Sequence, residues 1–166
     1  VASTSAGKSV GLSSFIRLSG LPTLVLENKI TLAEQLRENL CKDGINCGLV
    51  GGGKLILGDC VVSTIQSVGK LGQHLSRFKC LIVDEIQNAS SKTYQYFLSQ
   101  FKVPLYYGFS ASPERKGNPI NYARIRQFFG SPIIEVESNE LIENHVMAKP
   151  HIYAVKTECE QFKDYP

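Results

Sequence analysis

The amino-terminal residues match a pattern that binds phosphate groups. Residues 2–9 read Ala-Ser-Thr-Ser-Ala-Gly-Lys-Ser, which is the G-x-x-x-x-G-K-[ST] loop with Ala2 in place of its first glycine. Small residues let backbone N–H groups surround phosphate oxygens, and the start of the following helix adds partial positive charge. In this pattern the Lys8 ammonium neutralises the β- and γ-phosphates, and the Ser9 hydroxyl coordinates Mg²⁺. The residues predicted to bind a nucleotide are Ser5, Ala6, Gly7, Lys8, Ser9 and Val10.

An acidic pair supplies the second half of this chemistry. Gly-Lys-Ser alone often occurs by chance, but residues 80–87 read CLIVDEIQ, which is typical of a buried strand that ends in two carboxylates. Ligands bind at the carboxyl ends of the strands in open α/β sheets. We therefore expect Asp84 to hold Mg²⁺ and Glu85 to orient and polarise an attacking water. Gln87 is expected to sense the γ-phosphate or to contact the neighbouring strand, and Lys8 completes the catalytic set. The alternative is a strand that ends in ordinary surface acids.

A third polar segment, Ser110-Ala111-Ser112, follows the apolar run Leu105–Gly108. Small hydroxyl residues at the end of a strand can hydrogen-bond acids on the adjacent strand. They could also transmit the state of the phosphates to another surface. A strand followed by an ordinary Ser-Pro turn gives the same pattern, so the segment is a coupling candidate only in combination with the two motifs above.

Between these motifs, short apolar runs alternate with segments of helical periodicity. Runs that are apolar on both faces favour a parallel sheet, and the alternation favours a doubly wound α/β domain. The predicted strands are Thr23–Leu26, Val61–Thr64, Cys80–Val83, Leu105–Gly108 and Ile133–Val136. A phosphate loop normally follows a strand. Only Val1 precedes the loop in this sequence, so we expect the first strand of the sheet to be missing from it.

Helices and loops are predicted from periodicity, capping residues and glycines. The helices are expected at Gly7 to about Leu18, Thr31 to about Lys42, Ser91–Phe101 and Tyr122–Phe128. In the second of these, Thr31 and Glu34 form a Thr-x-x-Glu capping box, and Gly44 can end the helix. Two stretches rich in glycine or polar residues, Gly48–Lys54 and Ser112–Asn121, are predicted to be flexible loops.

Composition and charge limit the possible classes of protein. The 166 residues are enough for one domain with a sizeable core. The formal charge of +3 permits a nucleic-acid partner but does not by itself argue for one. The five cysteines form no Cys-x-x-Cys pair, which disfavours a disulfide framework or a zinc site. We therefore expect a reducing, intracellular setting, cytoplasmic or nucleoid/nuclear. No apolar stretch approaches the roughly 18 residues of a membrane span.

Together these segments resemble the superfamily 2 helicases of the DExH type, and the resemblance covers nearly all of the sequence. The segments that match motifs I, Ia, Ib, Ic, II and III are, in that order, residues 2–9, Leu24–Gln35, Gly51–Gly53, Val61–Val68, Asp84–Gln87 and Ser110–Ser112. Their order and spacing agree with the family throughout, which is far more specific than any single motif. Residues 133–149 are similar to the end of the first lobe in the branch that includes repair and phage recombination helicases.

The resemblance implies a RecA-like P-loop NTPase lobe that binds ATP with Mg²⁺ and hydrolyses it to move along or remodel nucleic acid. It places this lobe at residues 1–150, with residues 151–166 beginning the connection to a second RecA-like lobe that supplies arginine fingers. It also implies sequence-independent, salt-sensitive binding of DNA, with RNA as the less favoured possibility. The residues that it assigns to nucleic acid are Asn28, Lys29, Thr31, Gly52, Gly53, Thr64 and Gln66.

Some residues depart from the usual motifs, and other functions remain open. Glu27-Asn28 stand where motif Ia usually has Pro-Thr, Gln87 replaces the more frequent histidine of motif II, and Ser112 replaces a threonine in motif III. The alternatives are the translocating subunit of a restriction or remodelling enzyme, an RNA helicase, and a nucleotide-dependent clamp that does not hydrolyse ATP. The phosphate-loop and acidic residues are all present, which disfavours the clamp.

Overall fold

A six-stranded sheet forms the centre of the molecule. The computed structural model describes residues 8–110, 119–134 and 138–145. The strands are β1 (Thr23–Glu27), β2 (Cys47–Gly51), β3 (Lys54–Ile56), β4 (Cys60–Thr64), β5 (Cys80–Asp84) and β6 (Leu105–Phe109). Their order across the sheet is β3-β2-β4-β1-β5-β6, and every neighbouring pair is parallel except the β2–β3 hairpin. The first four predicted strands are therefore confirmed as β1, β4, β5 and β6.

Helices and short 3₁₀ segments connect the strands. The helices are α1 (Lys8–Ser19), α2 (Ile30–Lys42), α3 (Lys92–Gln100), α4 (Pro119–Phe129) and α5 (Ser138–Glu143), and 3₁₀ segments span Val68–Arg77 and Ile86–Ser90. Gly44 ends α2 as predicted, with a φ of 81°. The N–H groups of Gly44 and Ile45 donate to the carbonyl oxygens of Cys41 and Leu40, each at 3.0 Å. This pair of bonds is the Schellman ending that a glycine in the left-handed region allows.

Hydrophobic side chains cover both faces of the sheet. Leu24 and Leu26 of β1 pack into one buried cluster, to which α3 and α4 also contribute. Val25, between them, points to the opposite face and packs with residues of α1 and α2. Because successive strand residues alternate between faces, one fully apolar strand can serve both clusters. The fold is therefore a doubly wound, mainly parallel α/β domain, as the sequence predicted.

The prediction of a flexible loop over Gly48–Lys54 is wrong for most of its length. Gly48–Gly51 belongs to β2, which is buried throughout. A Cβ atom at Gly48 would clash with the Ile56 carbonyl oxygen, so the glycine lets two backbones approach closely. Gly52 and Gly53, with φ values of 55° and 79°, form the tight turn to β3. These glycines therefore serve close packing at Gly48 and a tight turn at Gly52 and Gly53.

The capping box predicted for α2 is also wrong. The helix begins at Ile30, its N-cap is Lys29, and no side chain caps it. Ile30 enters the first turn because its side chain packs against the glycine turn after β2, where it would lie 2.8 Å from a Cβ atom on Gly51. Glu34 instead forms an exposed ion pair with Lys54, with Oε1 and Nζ 2.8 Å apart.

Differences also occur near the carboxyl end of the described region. Ile133 and Ile134, predicted to begin a strand, are exposed and lie outside any strand, and the other two residues of that prediction lie outside the described residues. Helix α4 begins at Pro119, inside a stretch predicted to be a loop, because proline is well suited to the first helical position. Among the described residues no helix has the length and apolarity to cross a membrane. Four of the cysteines, Cys41, Cys47, Cys60 and Cys80, are free thiols.

Candidate functional site

The phosphate-loop lysine and the acidic pair meet at the carboxyl end of the sheet. Lys8 begins α1, and Asp84 and Glu85 stand at the end of β5. The Lys8 Nζ lies 2.8 Å from Glu85 Oε1, and the two side chains are 11% and 31% exposed. Ser9 and Val10 are exposed in the first turn of α1. The loop residues Ser5, Ala6 and Gly7 lie outside the described residues.

A chain of side-chain hydrogen bonds connects Glu85 to β6. Gln87 Nε2 donates to Glu85 Oε2 at 2.6 Å, and Ser110 Oγ donates to Gln87 Oε1 at 2.6 Å. Ser110 is buried directly after β6. The structure thus brings the first residue of the predicted coupling segment into contact with Gln87. Ala111 and Ser112 lie outside the described residues.

The backbone of Glu85 has an unusual conformation. Its φ of 53° and ψ of 60° lie in the left-handed region, which is unfavourable for a residue with a Cβ atom and recurs at functional sites. The N–H of Glu85 donates to Asp84 Oδ1 at 2.9 Å, which holds this turn. The turn places the two consecutive carboxylates in different surroundings. Asp84 stays beside the neighbouring strand, and Glu85 reaches Lys8.

Glu27 is buried beside Asp84, and it was not among the predicted site residues. Strands β1 and β5 are parallel neighbours with Leu26 opposite Val83, so Glu27 and Asp84 end the two strands side by side. Burial, the negative charge of Asp84 and a hydrogen bond to it raise the pKa of Glu27 to about 8. Burial also raises the pKa of Asp84, although the positive charge of Lys8 opposes the change. The raised pKa of Glu27 favours its protonated form near neutral pH, and this carboxyl group can then donate a hydrogen bond to Asp84.

A sequence signal for Glu27 does exist. It is a glutamate that ends an otherwise apolar strand, and Asp84 ends another in the same way. The sequence does not show, however, that these two strands are neighbours. Without that knowledge, Glu27 is only a departure from motif Ia.

Glu85 differs from this pair because it remains ionised. Its partial burial acts to raise its pKa, but hydrogen bonds from Lys8 and Gln87 outweigh burial and hold the pKa of Glu85 below its ordinary value. An ionised carboxylate can accept a hydrogen bond or a proton from water. The site therefore contains an ionised carboxylate, Glu85, and beside it the part-buried Asp84 with its buried neighbour Glu27.

These side chains fit a nucleoside triphosphate with Mg²⁺. Lys8 provides a cation at the start of α1, where helix amides favour phosphate oxygens. The Asp84 carboxylate is an oxygen ligand of the kind that Mg²⁺ prefers. The surroundings of Glu27 and Asp84 show whether the site suits a cation. A buried carboxyl group beside a part-buried one needs a positive charge between or beside them, and either a proton or a cation satisfies that need.

The residues assigned to nucleic acid lie at the same end of the sheet, on the loops after β1, β2 and β4, in the first turn of α2 and at the end of β4. Those exposed on the surface are Asn28, Lys29, Thr31, Gly52, Gly53 and Gln66. The loop after β1 adjoins the β2–β3 turn, since a Cβ atom at Gly52 would lie 3.1 Å from Ile30 Cγ1. Thr64 is 5% exposed and lies beneath this turn, with its Oγ1 3.4 Å from a Cβ placed on Gly51. In this structure Thr64 supports the turn and presents little surface.

Comparison with known proteins agrees with this arrangement. Residues 1–115, which include motifs I to III, match the family described as the type III restriction enzyme, res subunit. The chain belongs to this family. The res-family chain is also 30% identical over 114 residues to the DNA 3'-5' translocase XPB2 of Sulfurisphaera tokodaii. That alignment covers 68% of this chain and 26% of the relative, so the chain spans about a quarter of the length of that protein.

Solved structures share the fold of the res-family chain. A hypothetical ATP-dependent RNA helicase from Sulfolobus tokodaii matches with a TM-score of 0.64 and 21% identity, over 77% of this chain and 44% of that chain. The SWI2/SNF2 ATPase core of Sulfolobus solfataricus, in complex with dsDNA, matches with a TM-score of 0.62 and 16% identity, over 86% and 33% of the two chains. The prediction of the first RecA-like, ATP-binding lobe of a superfamily 2 helicase is confirmed.

Proposed function

We propose that this res-family lobe hydrolyses ATP with Mg²⁺ and that its parent protein uses the reaction to move along or remodel DNA. The observation that supports the proposal best is the convergence of Lys8 on Glu85 at 2.8 Å, with Gln87 and Ser110 connected behind it. This arrangement places a phosphate-binding cation, an ionised carboxylate and a connection to the next strand at one end of the sheet. Such an ATP-dependent function belongs inside the cell.

The contacts indicate a role for each side chain. Lys8 exchanges its partner Glu85 for phosphate oxygens, which leaves Glu85 Oε1 free to accept a hydrogen bond from the attacking water. Gln87 keeps Glu85 Oε2 in place during this exchange. Asp84, with the exposed Ser9 hydroxyl, would hold Mg²⁺, and the bound ion would neutralise negative charge on the phosphates. A second RecA-like lobe in the same parent protein supplies arginine side chains to the reacting phosphate.

We propose that the lobe binds DNA because polar and basic residues lie next to one another at the end of the sheet that carries the candidate ATP site. Lys29 offers a positive charge, and the turn at Gly52 and Gly53 offers backbone amides that can bind phosphates. Such contacts carry no sequence code and weaken as salt increases. The similarity to XPB2, which is described as a DNA translocase, is a second reason to propose DNA instead of RNA.

A translocating subunit of a restriction enzyme is the second candidate, because the family that the chain matches is named for such a subunit. It uses the same ATP site, so the site does not separate the two candidates. A nuclease domain elsewhere in the parent protein would favour the restriction enzyme. A nucleotide-dependent clamp that does not hydrolyse ATP is the third reading, and the ionised Glu85 beside Lys8 disfavours it.

The proposal is tested by changing Glu85→Gln in the full-length parent protein. The amide keeps the size of the side chain and removes its ability to accept a proton, so we expect ATP hydrolysis to fall by about 10²-fold or more while ATP still binds. The matched control is Glu34→Gln, which removes an acid of the same type from an exposed surface ion pair with Lys54. The control should hydrolyse ATP at the wild-type rate.

Steady-state hydrolysis and equilibrium ATP binding are measured for all three proteins. If Glu85→Gln hydrolyses ATP as fast as the wild type, Glu85 does not act on water and the proposed mechanism is wrong. If the wild-type protein binds ATP but does not hydrolyse it, with or without DNA, the clamp is the correct reading.

A further inference from the structure

A polar cavity lies beside the candidate ATP site. Its volume is about 190 Å³, and four side-chain amides line it, those of Asn28, Gln66, Gln87 and Asn88. Serine and threonine hydroxyls and Tyr94 line the rest of its polar wall. None of the described residues that line it is charged. A single water needs only about 10–15 Å³ of such space, so the cavity is large enough for a larger polar group.

Tyr94 is the second observation that indicates a ligand. The side chain is 1% exposed, and its hydroxyl has no hydrogen-bond partner among the described residues. Buried hydroxyl groups of tyrosine usually find a partner, because an unmet donor and acceptor in the interior are unfavourable. Asp84 and Glu27 lie near enough for their charges to raise the pKa of Tyr94, but neither bonds to it. Among the described residues this hydroxyl therefore has an unused capacity to donate and to accept a hydrogen bond.

The chemistry of the wall selects the kind of ligand. A phosphate would be held by lysine, arginine or a series of backbone amides, and no cationic side chain lines this cavity. Side-chain amides offer a donor and an acceptor next to each other, which matches the edge of a nucleobase. A hydroxyl on an aromatic ring adds one more donor and acceptor. We propose that the cavity receives one unstacked nucleobase of a bound nucleic-acid strand.

A base bound in the cavity would affect the candidate ATP site through a shared residue. Gln87 lines the cavity and is also the residue that donates to Glu85 and accepts from Ser110. A base that contacts Gln87 would therefore help to hold Glu85 in its working position. Because Asn28 and Gln66 also line the cavity, this assignment rests on the proposed binding of nucleic acid and adds to it a base-dependent step.

The test compares strands with and without bases, using the full-length protein. One probe is a short single-stranded DNA of mixed sequence, and the other is a strand of the same length that is abasic at every position. Dissociation constants and the stimulation of ATP hydrolysis are measured for both probes. The wild-type protein should bind the normal strand roughly 5- to 100-fold more tightly than the abasic strand, the range expected for good hydrogen bonds to one base. Only the normal strand should stimulate hydrolysis fully.

Two variants assign this preference to the cavity. Tyr94→Phe removes only the unpartnered hydroxyl and keeps the ring in the core, and Asn88→Ala removes an amide from the wall. Each should reduce the preference for the normal strand by at least roughly threefold, a part of one base contact. The matched control is Tyr96→Phe on the same helix, whose side chain is 73% exposed and lies outside the cavity. That control should keep the wild-type preference.

Each outcome has a distinct meaning. If the hydroxyl of Tyr94 had no ligand, Tyr94→Phe would leave binding unchanged and the protein equally or more stable, and the base pocket would be rejected. Equal binding of normal and abasic strands by the wild-type protein would also reject the pocket while leaving the proposed function intact. If neither strand nor a DNA duplex bound at low salt, the proposed function itself would instead be overturned.

Discussion

Glu27, whose carboxyl group carries a proton beside Asp84 near neutral pH, is the most unusual residue of the candidate site. Burial and the neighbouring negative charge raise the pKa of Glu27 to about 8. A raised pKa means that the folded protein binds this proton more tightly than the unfolded chain does. The free energy of unfolding is therefore highest below the ordinary glutamate pKa, and it falls as the pH rises through about 8.

Glu27→Gln should remove this pH dependence. The amide is neutral at every pH and can still donate to Asp84, so the variant should be more stable than the wild type at pH 9 by a few kcal/mol and similar to it near pH 5. Urea unfolding in EDTA measures the difference without bound metal. Parallel pH profiles of the wild type and Glu27→Gln would show that Glu27 is already ionised in the folded protein. Glu34→Gln serves as the control.

The packing of β6 against the 3₁₀ segment after β5 places the end of β6 beside the candidate site. Gly108 of β6 faces Ile86, and a Cβ atom at Gly108 would overlap the Ile86 Cγ2 methyl group. The close approach brings the end of β6 near the acidic motif. Ser110 can then bond to Gln87 across the two elements. A glycine at this strand position therefore supports the connection between the two motifs.

Gly108→Ala should destabilise the protein by about 1–3 kcal/mol, because the buried methyl group forces Ile86 or β6 to move. Gly11→Ala is the matched control. Gly11 lies inside α1, a Cβ atom there meets no atom within 4 Å, and alanine should stabilise the helix by roughly 0.5–1 kcal/mol. Urea denaturation of both variants measures these changes. If Gly108→Ala were as stable as the wild type, the packing of β6 on Ile86 would not be tight.

All the site residues that the structure describes come from one lobe. Lys8, Asp84 and Glu85 all come from this lobe, and the resemblance to superfamily 2 helicases implies that a second lobe provides the arginine fingers. Such a finger is worth about 10³–10⁵ in rate. We therefore expect the lobe to need its partner lobe for the charge that stabilises the reacting phosphate.

The 166-residue chain alone should accordingly bind ATP weakly and turn it over negligibly. Steady-state hydrolysis measures this, with the full-length protein as the positive control. A turnover near about 1 per second, which is within the ordinary range of enzymes, would show that the lobe needs no partner. It would also mean that the stabilising charge comes from this chain.

Local patterns in the sequence determined the classes of the elements and most of the chemistry. Apolar runs and helical periodicity predicted five strands, four of which are confirmed, and four helices, because burial on one or both faces leaves a regular spacing of apolar residues. The phosphate loop, the acidic pair and the serine after β6 were visible as motifs with fixed spacing. These features depend on residues near one another in the chain, and a sequence displays such neighbours directly.

The tertiary structure alone decided which of these residues meet. In the sequence Glu27 is only a departure from motif Ia. Because β1 and β5 are neighbours in the sheet, it lies beside Asp84. Because β2 and β3 pair closely, most of the glycine-rich segment that was predicted to be a loop belongs to buried strand. The packing of Ile30 displaces the predicted helix cap, and the folding of α3 onto the sheet buries the Tyr94 hydroxyl. In each case the deciding energy comes from burial or contact between residues far apart in sequence, which spacing along the chain does not record.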